Sequence, residues 1–424
     1  MNKADQILPP SITTVFWYRW AEFIDVLRQM SPLERAFHLF WLAGPFIMLV
    51  ERTPADVWLS VLSLAFVVRS IVNRDGSWLR LFWVRACFLF LAVCILSSAA
   101  SLMPVYALTE TIVWFRFPLF AMATVFWLGK DRRLLYAMVI STALGMIVMT
   151  GILTVELLIE GQKHGRLMWP YGDKVSGNYL AKVGLPAFTV MAALAIGAKP
   201  KLASVMAVLS VIILTLSLFA GERINFLIIV CGGMLAALAW KPNWRRYTSL
   251  IVVEIAVALL IYFSSSSIQT RFVKNFFTQI PIGPDSSYYR TISAGYEAAK
   301  ETIFLGLGPA NFRELCPQMI VNKVNFTCHN HPHNFYSQLL SETGVIGLVT
   351  GSVMIISIIW ATFMGWRKNR ADVVSAAAFV VPFGLFFPIQ STADFFGQWN
   401  NIFMWSAIAL ALAAAQTLAL DKSK

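Results

Sequence analysis

Apolar stretches about twenty residues long recur from one end of this chain to the other, and that recurrence limits what it can fold into. A helix needs about 20 apolar residues to cross the hydrocarbon core of a bilayer. About twelve stretches qualify: residues 34–50, 56–73, 82–102, 109–129, 134–158, 178–198, 202–220, 224–240, 248–265, 335–364, 373–390 and 401–419. The first carries Arg35 and His38 near its start, and the fourth contains Arg116. Composition agrees: 58% of residues are hydrophobic and 13% charged, with a mean hydropathy of +0.67. A water-soluble domain is nearer half apolar and a quarter charged, so the polar surface here is too small for water to be the solvent. The expected fold class is all-α integral membrane, with about twelve transmembrane helices.

The formal net charge of +12 raises the question of nucleic acid. The basic residues are scattered between apolar stretches, however, as expected of cytoplasmic loops beside anionic lipid; membrane lipids are the implied partner, and nucleic acid is not. Residues 1–33 mix Lys3, Asp5, Arg19, Glu22, Asp25 and Arg28 with aromatics, unlike a cleavable signal. They read as a cytoplasmic lead-in lying along the membrane surface. An N-terminus inside puts Arg74 and Arg80, Lys130, Arg132 and Arg133, Lys199 and Lys201 in the cytoplasm. Lys241, Arg245 and Arg246 fall there too, as do Arg367, Lys368 and Arg370. The opposite turns are poor in such clusters, so both termini, including the tail 421–424, are expected inside.

The implied organisation is nine spans over 34–265, interrupted by an outside loop at about 159–177, then a large outside loop over 266–334, then three spans over 335–420. The first loop holds Lys163, His164, Arg166, Trp169, Asp173 and Lys174. The second is expected to be largely helical. Within it Ile292, Tyr296, Ala299 and Ile303 share one helical face, starting near Arg290 and ending at Gly306-Leu307-Gly308-Pro309. No tandem repeat or low-complexity tract is present. Of the five cysteines, Cys87, Cys94 and Cys231 sit in apolar spans as small hydrophobes. Cys316 and Cys328, twelve positions apart in the large loop, are free to form a disulfide if that loop lies outside.

Three of the five histidines fall in Cys328-His329-Asn330-His331-Pro332-His333-Asn334, where the large loop re-enters the membrane. Four readings compete: a merely polar loop, a zinc site using His-x-His spacing, a pH sensor, and a catalytic base. Position favours the base, because His333-Asn334 immediately precedes a long apolar helix and Asn is a good N-cap. The partial positive charge of a helix start favours the neutral ring that a general base requires. Arg223, in Gly221-Glu222-Arg223-Ile224-Asn225, stands at a tight break between two apolar helices. It is either an interfacial Arg snorkelling or paired with Glu222, or an anion clamp whose planar donors match phosphate. Arg290 is a second candidate clamp, or an ordinary solvated loop residue. Asp394, in an otherwise uncharged turn, is placed to orient a His, to bind an acceptor sugar or simply to face solvent. Arg166 and Lys163 add positive charge outside. No phosphate loop, dinucleotide turn or Cys-x-x-Cys pair is present, which argues against a nucleotide-driven pump.

These residues together resemble the O-antigen ligase and polymerase superfamily. His333-Asn334, nine residues, Gly344, two residues and Gly347 is similar to the family's His-Asn motif followed by Gly-x-x-Gly. Arg290, Leu305-Gly306-Leu307-Gly308-Pro309 and Asn311-Phe312 look like its Arg-helix-Gly-x-Gly-x-x-Asn-Phe segment. Arg166 and Asn178-Tyr179-Leu180-Ala181 resemble the residues flanking the earlier outside loop. Gly221-Glu222-Arg223 stands where the family usually carries Ser-Arg, a departure at the residue before the Arg. The matches span roughly 160–350.

The resemblance implies a GT-C-like glycosyltransferase of the bacterial inner membrane, acting at the periplasmic face as a monomer, with no cofactor and no metal. Its donor would be a polysaccharide on undecaprenyl pyrophosphate, and for a ligase its acceptor would be a hydroxyl of lipid A–core oligosaccharide. By the same resemblance His333 would be the general base. Arg223 and Arg290 would bind the pyrophosphate and stabilise it as leaving group. Asn334, Arg166, Asp394 and Asn311 would contact substrate. A polymerase uses a second lipid-linked glycan as acceptor, and a protein O-oligosaccharyltransferase uses Ser or Thr. The short tail after the last span favours ligase or polymerase, and the long 266–334 loop favours the ligase. A lipid or polysaccharide transporter is the alternative of another class, but the chain lacks clear half-symmetry or several charges inside helices.

Overall fold

The structure, a computed structural model, describes residues 12–172, 176–280, 282–319, 326–388 and 393–420. Asp173, Lys174, Ser391, Thr392 and the tail 421–424 lie outside the described residues. The chain begins with α1 (Ile12–Gln29), α2 (Pro32–Val50), α3 (Arg52–Val72), α4 (Phe82–Ala100), α5 (Pro104–Ala123) and α6 (Arg132–Ile159). A bent pair follows, α7 (Ser176–Val183) and α8 (Leu185–Gly197), then α9 (Pro200–Phe219), α10 (Arg223–Ala239) and α11 (Trp244–Ser264). The large loop contains α12 (Ser266–Gln269), which runs through a π turn into α13 (Asn275–Gln279), then α14 (Ser287–Ala299) and α15 (Phe312–Met319). The last elements are α16 (Phe335–Lys368), α17 (Val373–Ala378), α18 (Val380–Leu385) and α19 (Gln398–Leu420).

This is an all-α integral membrane fold. Each of the dozen apolar segments is helical, but among the described residues nine helices are long and apolar enough to cross a bilayer, or ten if α7 and α8 form one bent span. The two segments that fall short are α10 and the α17–α18 pair. Lipid offers helices no hydrophobic reason to associate, so close packing through small residues must hold them together. The central helix α19 is almost wholly buried and touches α3, α5, α6, α8, α16 and α17. Its alanine-rich sequence permits that approach, and a Cβ at Gly365 of α16 would meet the backbone of Ala415. Gly233 of α10 similarly leaves room for Phe188 of α8. By contrast α11 is mostly exposed along its length. The lead-in helix α1 docks through Phe23, Val26 and Leu27 onto Leu134 of α6.

Two backbone breaks shape one end of the bundle. The α7–α8 pair bends by 63° at Gly184, next to Pro186, which is tolerated in the first turn of the new helix. Irregular backbone at membrane depth survives only where protein or a cavity covers it. In α16 the break is Gly344, with φ +66° and ψ −172°, conformations that need glycine. The groups it frees are taken up by the 303–308 strip of the large loop. Leu307 N donates to Ser341 O (2.9 Å), Gly308 N to Glu342 O (2.8 Å), and Val345 N to Ile303 O (2.8 Å). The glycines at 306 and 344 are thus a structural joint.

The large loop is helical as expected, but its main helix differs in start and face. α14 begins at Ser287, where Ser286 Oγ accepts from Tyr289 N (3.4 Å), and Arg290 lies inside it. Its buried face is Thr291, Ala294, Gly295, Ala298 and Ala299, while Tyr296 and Ile303 are exposed. The reason is contact distance: a Cβ at Gly295 would clash with Ser337 Oγ and Pro332. Only the small-residue face fits against the start of α16.

Candidate functional site

The end of the bundle carrying the large loop holds a cavity of about 580 Å³. Its first wall is a hairpin turn. Lys163 and Arg166 exchange backbone hydrogen bonds (2.9 and 3.0 Å) around His164 and Gly165, both with positive φ, as a tight hairpin turn requires. The strip beyond is anchored by buried Glu156, which accepts from Met168 N (2.7 Å) and Trp169 N (2.8 Å). Gly165 is pressed onto the break between α9 and α10, where Gly221 has φ +73° and a Cβ would run into the Gly165 carbonyl. Arg166 and Arg223 are thereby brought to one space.

The remaining walls come from α7, α10, the α12–α13 arm, α14, α16, α18 and α19. Arg166, Lys182, Arg223 and Arg271 line the cavity together with one carboxylate, Glu222, leaving a formal charge of +3. Ile224, Leu227, Phe276, Ile280, Ile292, Phe335 and Met404 make the rest mainly apolar. Arg271 Nε donates to the Gly221 carbonyl oxygen. Burial, with Arg166 and Arg223 nearby, pulls Arg271 down to about 10, which leaves it charged at neutral pH. Burial also lowers Arg166, against the pull of Glu222. Arg223 donates through Nη2 to Gln279 and lies 5.9 Å from the centre of the Phe276 ring, while its buried Nη1 has no hydrogen-bond partner among the described residues. Arg166 Nε is likewise buried and unpartnered. Unused donors in a cationic cavity are suited to an anion with several oxygens.

The floor is a polar network. Lys182 Nζ donates to Asn178 Oδ1 (2.6 Å) and to Asn400. Asn225 Nδ2 donates to Asn178 Oδ1 (3.1 Å) and to Glu222. Lys182 follows from the α7–α8 bend, which turns a residue of an apolar segment into the cavity.

His333 lies beside this cavity. Its ring centre is 5.8 Å from that of Tyr288, a wall residue, and 4.4 Å from that of His331. Its φ of +56° is uncommon for a residue with a side chain. The following Asn334 caps α16, its Oδ1 accepting from Tyr336 N (3.0 Å) and Ser337 N (3.2 Å), and its Nδ2 donates to Pro388 O (2.8 Å). Among the described residues no three His, Cys, Asp or Glu side chains are grouped to hold a metal.

Other sequence candidates are placed differently. Arg290 does not line the cavity; its guanidinium donates to Pro284 O (2.6 Å) and Asp285 O (3.4 Å). Asp394 binds Arg313 (2.6 Å), Gln338 Nε2 (2.6 Å) and Phe396 N (3.0 Å), and so ties α15 to α16. Asn311 is buried with its Nδ2 on Leu307 O (2.9 Å). Lys163 pairs with Glu160 at the surface. Cys316 and Cys328 are disulfide-bonded and close the α15 strip onto the histidine segment. Sequence reasoning did not single out Arg271, Lys182, Tyr288 or Gln279. No local signal marks Arg271, whereas its partner Gly221 lies in the tight break that the sequence shows before Arg223.

Fold and site together define a multi-pass membrane protein with a cationic, part-apolar cavity at one end of the bundle. Residues 205–352 match the family model described as O-antigen ligase, and over that segment the chain is similar to the O-antigen ligase family. No curated protein matches it in sequence. Among solved structures it is similar to one described under "Structural coordination of polymerization and crosslinking by a peptidoglycan synthase complex", at 14% identity and a TM-score of 0.45, over 79% of this chain and 97% of that one. The matched segment includes Arg223, Glu222, Arg271, Tyr288 and His333, but Arg166 and Lys182 precede it.

Proposed function

We propose that the protein is an O-antigen ligase of the bacterial inner membrane, with both termini cytoplasmic and the cavity facing the periplasm. The carrying observation is the convergence of Arg166, Lys182, Arg223 and Arg271 on one cavity with apolar walls, in a chain matched to the O-antigen ligase family. That combination suits a lipid-linked pyrophosphate. In this GT-C-like reading the donor is O-antigen on undecaprenyl pyrophosphate and the acceptor is a hydroxyl of lipid A–core oligosaccharide.

His333 takes the proton of the acceptor hydroxyl. The oxygen attacks the anomeric carbon, the bond from that carbon to the pyrophosphate oxygen breaks, and configuration inverts. Arg223 and Arg271, with Arg166 and Lys182, hold the negative charge that grows on the departing pyrophosphate, an electrostatic contribution realised most strongly in the transition state. Asn334 fixes the start of the helix from which His333 hangs. Arg290 supports the loop from its backbone contacts rather than touching the pyrophosphate. No step calls for a metal.

A polymerase is the second reading, and a protein O-oligosaccharyltransferase the third. The large loop against the histidine segment favours the ligase, since a bulky core oligosaccharide needs a shaped docking surface. Reconstitution with lipid-linked O-antigen and lipid A–core, read by product size on a gel, separates them. Transfer to the core that survives EDTA supports the ligase; glycan elongation without core transfer indicates the polymerase, and loss in EDTA refutes the metal-free step.

A further inference from the structure

The cavity contains a carboxylate that the proposed chemistry does not use. Glu222 lies in the break before α10, on the cavity wall. It faces Arg166 from the hairpin, Lys182 from α7, Arg223 from α10, Arg271 from the α12–α13 arm and Tyr288 from α14. No cation forms a close ion pair with it among the described residues; its own hydrogen bond is from Asn225. It interacts instead through space with Arg166, Lys182 and Arg271.

Four like charges sharing one cavity repel one another, and burial strengthens the effect because little water screens them. An empty cavity needs a counter-charge; a filled one receives it from the ligand. We propose that Glu222 is the cavity's built-in counter-ion, which stabilises the unliganded cation cluster and opposes the entry of a doubly anionic pyrophosphate. This rests on the reading of the cavity as a pyrophosphate site. Geometry gives the residue this role, and its titration makes the role measurable. Burial raises the Glu222 carboxyl to about 7, against the pull of Arg166, Lys182 and Arg271.

The sign follows from linkage. As pH falls, Glu222 takes up a proton and the cavity gains one positive charge. A bound dianion raises the carboxyl further, so the affinity of the dianion increases as pH falls. A raise of one unit corresponds to an affinity change of about tenfold.

The probe is a short-chain polyprenyl-pyrophosphoryl sugar, whose two phosphates each keep one negative charge from pH 5.5 to 8.5. Its Kd is measured for the full-length protein in nanodiscs. Wild type is expected to bind about tenfold more tightly at the acid end than at the alkaline end. Glu222→Gln is expected to bind more tightly than wild type at the alkaline end, with a shallower pH profile than wild type. Equal pH slopes in wild type and Glu222→Gln overturn the counter-ion role while leaving the pyrophosphate site standing. Absence of binding at any pH, or unchanged binding in Arg271→Gln, overturns the site and the inference together. If Glu222→Gln does not fold, Glu222→Ser takes its place, and a flat wild-type profile alone refutes the role.

Discussion

Glu342 sits two residues before the Gly344 break, fully buried, and accepts from Ala310 N (3.0 Å), Phe312 N (3.2 Å) and Gln338 Nε2 (3.1 Å). It is the fastener that holds the 307–312 strip of the large loop against α16. Glu342→Ala removes the acceptor and strands two buried backbone N–H groups. Each stranded donor costs about 1–3 kcal/mol, so the substitution is expected to cost roughly 2–6 kcal/mol. Glu342→Gln keeps one acceptor oxygen and is expected to lose about half as much. Gln338 also donates to Asp394, so Glu342→Ala and Asp394→Ala share a partner and their effects are expected to be non-additive by about 0.5–3 kcal/mol. Thermal unfolding in detergent measures the global loss, and limited proteolysis within 266–334 measures release of the loop. An unfolding free energy for Glu342→Ala within about 0.5 kcal/mol of wild type, as for an ordinary surface change, refutes the fastener.

Arg271→Gln is expected to weaken binding of a polyprenyl-pyrophosphoryl sugar by about 10–100-fold, the worth of one hydrogen bond to a charged group. Arg290→Gln is expected to change it by less than about threefold, because its guanidinium serves two loop carbonyls; equal losses in a calorimetric titration refute the placement of Arg290. Gly344→Ala is expected to destabilise by at least about 1–3 kcal/mol in thermal unfolding, since φ +66° is costly for any residue with a Cβ and Phe304 blocks the space. In intact cells a membrane-impermeant thiol reagent is expected to label Cys316 and Cys328 only after reduction, and the Cys316→Ser/Cys328→Ser double variant to lose about 2–4 kcal/mol. Labelling without reductant contradicts the disulfide.

The membrane class was legible because bilayer thickness imposes one length on every span, and hydropathy reads that length directly. The span count was less legible, since α10 and the α17–α18 pair are too short for the length test, while α7–α8 passes it only as a bent pair. In the candidate site, His333, Asn334 and Arg223 carry local signals: a polar cluster at a helix start and a charge at a helix break. Arg271 carries none, because its position depends on Gly165 and Gly221 approaching so closely that the arm after α11 is drawn over the break. Asp394 and Asn311 read as substrate contacts in sequence, yet the Asp394 carboxylate is engaged by Arg313 and Asn311 Nδ2 by Leu307 O. A lone polar residue near a turn looks the same whether it meets a ligand or a neighbouring helix. The stripe on α14 was misread by one position because hydropathy favours Tyr296 and Ile303, whereas contact with Pro332 and Ser337 selects Gly295 and its small neighbours.

The central claim is that pyrophosphate binds in the cavity and the acceptor is deprotonated beside it at His333. Single-turnover transfer by His333→Ala, with donor already bound and lipid A–core added, tests both halves at once. The expected result is donor affinity within about twofold of wild type and a transfer rate lower by about 10²–10⁴, the contribution of a general base. A wild-type rate in His333→Ala contradicts the mechanism.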